Sequence, residues 1–365
     1  MLRVAIIGGY GNFGAHVARS LASNPAIHLI IAGRSLAKAK DFAATLPAIN
    51  PAEAGYYDLD GPAEALGAVR PDLVINMVGP YNGQGYAVAE AAIACGAHYC
   101  DIADAREFVT AIGVLDDAAR DAGVTVLAGA SSVPALTAAY CDEAAQEMRT
   151  IRTVEYGISG AEQSNAGAGT VAAVLAFVGQ RFTHLIGGRM TEVTGWGDLR
   201  RVELPGVGVR WFGRANAADL DLFAARYPGL TEHSFWAGHA IAPMHFGTVA
   251  MGWLARFGLL PRLDRLAPQL VRIASLFDWL GTGTSGFFMT VTGEGADGTP
   301  MTRRHWIIAR SGHGPYIPCI PVILIARQLA YGRRYEPGAR PCLGVISLAE
   351  YRAEFANFDI EAKDG

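Results

Sequence analysis

The chain is poor in the features that would place it outside the cell, across a membrane or on nucleic acid. Its five cysteines, Cys95, Cys100, Cys141, Cys319 and Cys342, are odd in number, scattered and never in C-x-x-C spacing. That pattern excludes a disulfide framework and a structural zinc site, and leaves the thiols as small buried hydrophobes. Charged residues are sparse at 18%, with 30 Lys+Arg against 34 Asp+Glu. No basic block and no nucleic-acid motif interrupts them, so nucleic acid is not an expected partner. The start lacks a charged n-region, a long apolar core and a small-residue cleavage site, so a cytoplasmic protein is expected. His239, His245, His305 and His313 show no metal-ligand spacing, and no metal is expected. What is present, 365 residues of which 51% are hydrophobic, suffices for a large core and two domains.

The organising stretch is the first. Val4 to Ile7 is a short apolar run that reads as a buried strand, and Phe13, Val17 and Leu21 then recur at helical spacing until Asn24-Pro25. Between them Gly9, Gly11 and Gly14 satisfy G-x-G-x-x-G. The first glycine permits a tight turn, the second lets backbone approach a pyrophosphate, and the third lets helix and strand pack closely. The helix N-terminus that follows is an anion seat. Gly9, Tyr10, Gly11, Asn12, Phe13 and Gly14 are therefore the first expected cofactor contacts.

A second strand, His28 to Gly33, ends at Arg34-Ser35, with Lys38 one turn later. A site built for NAD usually carries Asp or Glu here for the ribose 2′-hydroxyl, whereas Arg accommodates a 2′-phosphate. Two cations and no carboxylate favour NADP(H) over NAD(H), with Arg34, Ser35 and Lys38 as contacts. The alternative is a solvated helix start. A third strand is predicted at Tyr56 to Leu59, where Asp58 could accept from an adenine amino group or serve a turn. Asp72 to Gly79 reads as a fourth strand, buried on both faces. It ends in the polar, glycine-rich loop Gly79 to Gly85, at the strand end where doubly wound sheets bind ligands. Strands at His98 to Asp104 and Val124 to Ala128 complete six, so a doubly wound parallel Rossmann sheet is expected.

GGYGNFG, VINMVGPYNGQGYAVAEAAIACGAHYCDIAD and VLAGASSVPALT together resemble the saccharopine dehydrogenase NADP-binding family, and in particular its broad group of saccharopine-dehydrogenase-like oxidoreductases. The resemblance implies a Rossmann NADP-binding domain over 1–133, an inserted α+β substrate and dimerisation domain over 134–316, and a segment, 317–365, returning to the first domain. It places Val78, Gly79, Pro80 and Tyr81 along the nicotinamide side. Reversible reduction of C=N or C=O in a small molecule is the expected chemistry, and a homodimer is expected.

Beyond Arg149 the texture turns to longer strands, including a hairpin of Ser285 to Gly293 with Met301 to Ala309. The second domain is thus α+β with a mainly antiparallel sheet. Within it, 240–280 is heavily apolar yet broken by glycines, prolines and arginines, a poor membrane span. It reads as a buried helical pair, a lid or a peripheral membrane contact. Tyr81, His98 and Asp104, close to ligand-facing strand ends, are the candidate proton donors, since a donor must reach the substrate heteroatom through a hydrogen bond. Arg303 or Arg304 could hold a substrate carboxylate, though neighbouring strand residues face opposite ways. The chain is expected to fray beyond Asp359. Alternative readings are a non-catalytic NADP(H)-binding regulator and a membrane-associated reductase of a lipid.

Overall fold

Apolar, β-branched strands and alanine-rich helices alternate through the first third, and the computed structural model folds them as a doubly wound sheet; it describes residues 1–59, 63–161, 163, 167–260 and 263–365. In chain order come β1 (Leu2–Ile7), α1 (Asn12–Ala22), β2 (Ile27–Gly33), α2 (Leu36–Thr45), β3 (Glu53–Tyr56) and α3 (Ala63–Gly67). They are followed by β4 (Leu73–Asn76), α4 (Ala87–Ala94), β5 (His98–Asp101), α5 (Arg106–Thr110), α6 (Asp116–Asp121) and β6 (Thr125–Ala128). β1 is apolar because it has neighbours on both sides: Ile6 lies opposite Ile31 of β2 and Ile75 of β4. α1 turns Ala15, Val17, Ala18 and Leu21 inward, the 3.6-residue stripe read from the sequence.

The next stretch supplies α7 (Thr137–Glu147), β7 (Met148–Gly160), α8 (Gly167–Phe177), β8 (Arg181–Ile186), β9 (Arg189–Thr194), β10 (Arg200–Leu204) and β11 (Gly208–Arg214). It continues with α9 (Asp219–Arg226), β12 (Glu232–His239), α10 (Ala242–Arg256), α11 (Ala267–Ser275), β13 (Ser285–Gly295) and β14 (Pro300–Ala309). The chain closes with α12 (Ile320–Ala330), β15 (Gly338–Pro341), α13 (Leu348–Phe355) and β16 (Ile360–Asp364).

Two compact units result, one of Met1–Leu136 with Tyr316–Ile346, the other of Thr137–Pro315 with Ser347–Gly365. The first holds a seven-stranded parallel sheet in the order β15-β6-β5-β4-β1-β2-β3. This is the 3-2-1-4-5-6 arrangement of dinucleotide-binding folds with one strand added beyond β6. The second unit holds a mixed, mainly antiparallel sheet, ordered β10-β11-β12-β7-β13-β14-β16, with β8 and β9 branching from β12. Leu204, Phe212, Trp236, Phe288 and Ile308 form a core cluster on it, and Gly157 leaves the space that the Phe288 ring fills.

Two expectations about the chain's end are corrected. The closing stretch does not go to the first unit as a whole: 316–346 does, whereas Ser347–Gly365 lies in the second. The chain does not fray after Asp359 either. β16 is an edge strand on β14, His305 Nδ1 lies 2.7 Å from Asp364 Oδ1, and Arg304 and Gly365 exchange backbone hydrogen bonds. β3 also pairs three residues earlier than predicted, because Ile30–Gly33 of β2 set its register against Glu53–Tyr56.

Candidate functional site

The order of the parallel sheet reverses at β1, between β4 and β2, and such a switch point opens a crevice at the strands' carboxyl ends. The glycine turn stands there. Gly8 takes a left-handed φ of 77°, which only glycine adopts readily, so the turn itself falls one residue before the first motif glycine. A Cβ on Gly14 would lie 2.2 Å from the Gly8 carbonyl oxygen, and one on Gly9 would lie 2.9 Å from that of Ile6. These glycines let α1 start against β1. α1 has Gly11 as its N-cap, no side-chain cap and no acid in its first turn. A helix start without its own carboxylate or hydroxyl leaves the positive end of the dipole to an anion from elsewhere.

The turn is braced from three sides. The Tyr10 hydroxyl accepts from the Ser35 amide at 3.1 Å, and its ring lies over Gly33, where a Cβ would meet the hydroxyl at 2.7 Å. From β4, a Val78 methyl would come within 2.7 Å of a Cβ on Gly8. From the returning segment, Tyr316 stacks on His16 of α1 at 3.7 Å, and the Cys319 thiol points to the Phe13 carbonyl at 3.8 Å. The Val78–Gly85 loop holds itself: Gln84 Nε2 donates to the carbonyls of Val78 and Pro80, and the Tyr81 hydroxyl to that of Asn76. Asn76 also accepts from the Val78 amide. Gly8, Asn76 and Gln84 were not singled out from sequence, though an asparagine closing an apolar strand was the available signal.

At the end of β2, Arg34 and Lys38 are both exposed. Ser35 caps α2, its Oγ accepting from the Lys38 amide at 3.3 Å. Neither cation has an ion-pair partner among the described residues, although positive charge at a helix start is the unfavourable sign. An added phosphate there would reverse that sign. The site's backbone cradle and its two unmatched cations thus fit a dinucleotide.

A family model described as the saccharopine dehydrogenase NADP binding domain matches residues 4–127. That match covers the parallel-sheet part of the chain, about a third of its length. Saccharopine dehydrogenase (L-Glu forming) from Saccharomyces cerevisiae, solved in its apo form, has the same fold. At 16% identity it aligns over 100% of this chain and 99% of its own, with a TM-score of 0.69. An amine dehydrogenase from Mycobacterium smegmatis is 14% identical over 93% and 94% of the two chains with a TM-score of 0.47. A meso-dapdh mutant with DAP, from Clostridium tetani, is 11% identical over 98% and 99% with a TM-score of 0.46. No curated protein matches the sequence. Residues 4–127 thus match a dehydrogenase domain that binds a pyridine nucleotide.

Within this nucleotide-binding domain the three predicted proton donors part company. Tyr81 is buried with its hydroxyl already engaged, and desolvation, reinforced by the charge of Asp101, holds its pKa well above the usual phenol value. It shapes the loop. His98 begins β5, at the amino end of a strand whose carboxyl end is Asp101, about 10 Å along the strand from the ligand-binding edge. Its Nδ1 accepts from the Thr125 amide at 3.0 Å, and burial lowers its pKa. His98 ties β5 to β6, which corrects its candidacy as a proton donor. Asp104 follows the carboxyl end of β5 and is exposed. Asp58 serves a turn, accepting from the Leu59 amide at 2.8 Å. In the second unit, the Arg303 guanidinium is held by Glu147.

Beneath Asp104 lies Asp101, which the sequence places next to the candidate donors without giving it a role. Asp101 is fully buried, and its Oδ1 accepts from the Gly129 and Ala103 amides at 2.8 and 2.9 Å. It joins the ends of β5 and β6, and desolvation raises its pKa to about 6.

Proposed function

We propose that this chain is an NADP(H)-dependent oxidoreductase that reversibly reduces a C=N or C=O bond in a small molecule. The observation that carries the reading is the pair Arg34 and Lys38, exposed and without carboxylate partners among the described residues, beside a glycine turn that Val78 approaches closely. A fold that merely needed a strand-turn-helix would not keep two cations at the unfavourable end of α2. The peptide groups of 9–14 hold the pyrophosphate, Arg34 and Lys38 the 2′-phosphate, and Val78, Gly79 and Pro80 the nicotinamide side. When bound, the nicotinamide supplies the hydride.

The chain's own residues do the rest. Gln84 and Tyr81 fix the loop that would orient the reacting carbon, and good orientation can lower the barrier by on the order of 7–11 kcal/mol. Asp104, exposed just past the carboxyl end of β5, is the group placed to donate the proton to the substrate nitrogen or oxygen. The saccharopine dehydrogenase family supports C=N as the first bond type to screen.

The test is a titration of purified protein with NADPH and NADH, read by nicotinamide fluorescence, on wild type and Arg34→Ala. NADPH is expected to bind at least about tenfold tighter, ~1.4 kcal/mol, and the substitution to abolish the preference. Equal affinity for the two in the wild type overturns the 2′-phosphate assignment. Turnover of an imine and carbonyl panel with NADPH then tests the reaction, and no turnover across that panel overturns it.

A further inference from the structure

α10 is built inside out. The residues it buries are His245, Thr248 and Gly252, and its outward stripe is Phe246, Trp253 and Phe257, spaced for one helical face. The inner contacts fix this orientation. A Cβ on Gly179 would lie 2.4 Å from the Gly252 carbonyl oxygen, Thr248 Oγ1 is 3.1 Å from His239 Nε2, and the His245 ring is 5.0 Å from Trp196. The following stretch repeats the pattern. Ile273, Leu276 and Trp279 are exposed, Leu276 at 69% and Trp279 at 76%, as is Phe257 at 66%. A soluble helix turns its apolar face to the core, so this face is matched to a medium other than water.

The charges say which medium. Between 240 and 280 the chain has Arg256, Arg262, Arg265 and Arg272 against Asp264 and Asp278, a local excess of two positive charges in a chain of net charge −4. Arg256 lies over the Trp253 ring at 5.5 Å, an aromatic and a cation at one level, as at a lipid headgroup boundary. Arg256, Arg265 and Arg272 have no carboxylate partner among the described residues. A second copy docked face to face would oppose these unneutralised cations, whereas an anionic surface neutralises them. Crossing the bilayer is excluded for these helices: α10 has 15 residues, about 22 Å of helix, against a hydrocarbon core of about 30 Å. No helix of the described residues is long and apolar enough to span. We propose that the outward face of α10 and the 273–280 stretch dock this protein on an anionic phospholipid surface, aromatic side chains inserted and arginines at the headgroups.

The test is sedimentation of the full-length protein with vesicles of phosphatidylcholine alone and with about 30% phosphatidylglycerol. Binding to the anionic vesicles is expected to be at least about tenfold tighter and to weaken with added salt. Trp253→Glu with Phe257→Glu should abolish it. Arg256→Gln, Arg265→Gln and Arg272→Gln together should lower it to the phosphatidylcholine level. All these positions are exposed, and circular dichroism checks that the variants fold. The proposal is overturned if the wild type ignores both vesicles, if Trp253→Glu with Phe257→Glu binds undiminished, or if ultracentrifugation shows a dimer that those substitutions split while vesicles stay unbound.

Discussion

Gly14 is the residue with the least room in the nucleotide site. Any Cβ there meets backbone on two sides, the Gly8 carbonyl at 2.2 Å and the Gly9 Cα at 2.8 Å, and backbone cannot rotate away as a side chain can. Gly14→Ala should therefore lower NADPH affinity by more than about tenfold and destabilise the protein by at least ~1 kcal/mol, read by fluorescence titration and urea denaturation. Gly85 is the control, since a Cβ added there meets nothing within 4 Å and its φ is not left-handed; Gly85→Ala should change stability by less than about 0.5 kcal/mol. If both variants behave alike, close backbone packing is not what the third glycine provides. Asp101 makes a second residue-scale prediction. Desolvation pushes its pKa in the folded protein up to about 6 from an ordinary 3.8, so the folded protein holds the proton more tightly. The stability this gives is fully present below the unfolded pKa and is lost as pH rises through about 6, a change on the order of 3 kcal/mol. Asparagine keeps an Oδ1 for the two amides and has no charge to bury. The Tm of Asp101→Asn should thus gain on wild type between about pH 4 and 6 and level off above, and a difference that does not vary with pH would sink the assignment.

At the scale of elements, buried polar groups join pieces that apolar packing alone would leave free to slide. Asp219 of α9 is fully buried; Oδ1 accepts from Tyr156 of β7 at 2.8 Å and Oδ2 from Thr137 of α7 at 2.9 Å. Asp219→Ala leaves two buried hydroxyls to find new partners, each costing about 1–3 kcal/mol, so a loss of roughly 3 kcal/mol in urea denaturation is expected, with Asp219→Asn milder. A loss below ~1 kcal/mol from Asp219→Ala would show that these hydroxyls are satisfied otherwise. The same distinction explains what was readable in advance. β1, β2 and β4 are apolar runs because each has two neighbours, and the β13–β14 hairpin announces itself through its turn, so local sequence suffices for both. The glycine turn and Arg34 are local in the same sense. β7 pairs with β12 in parallel across about eighty residues of chain, and β16 is a charged Ile-Glu-Ala-Lys-Asp edge on a distant strand. Nothing near either names its partner. His98 was misplaced because a strand's residues can be read from sequence more easily than which of them reaches the ligand edge. The role of Asp101 was not legible because its partners, Gly129 above all, arrive through β6.

For the molecule as a whole, the chain's path between its two units separates their stabilities in an experiment. The first unit holds the nucleotide machinery within Met1–Leu136 and Tyr316–Ile346, while the final nineteen residues, Ser347–Gly365, belong to the second. Removing 360–365 takes β16 off β14. It breaks the His305–Asp364 and Arg352–Asp364 pairs, the second at 2.8 Å, and the backbone bonds between Arg304 and Gly365. It also bares the edge of β14, an invitation to strand pairing between molecules. The two ion pairs involve a half-exposed Asp364 and contribute modestly, so most of the loss comes from the strand. A truncation after Asp359 should lower the urea midpoint of the second unit and promote aggregation on heating. NADPH affinity should stay within about twofold of wild type, because every residue assigned to the cofactor lies before Leu136. If truncation instead abolishes nucleotide binding while circular dichroism shows the fold intact, the closing strand acts on the nucleotide site, and the assignment of that site to the first unit alone fails.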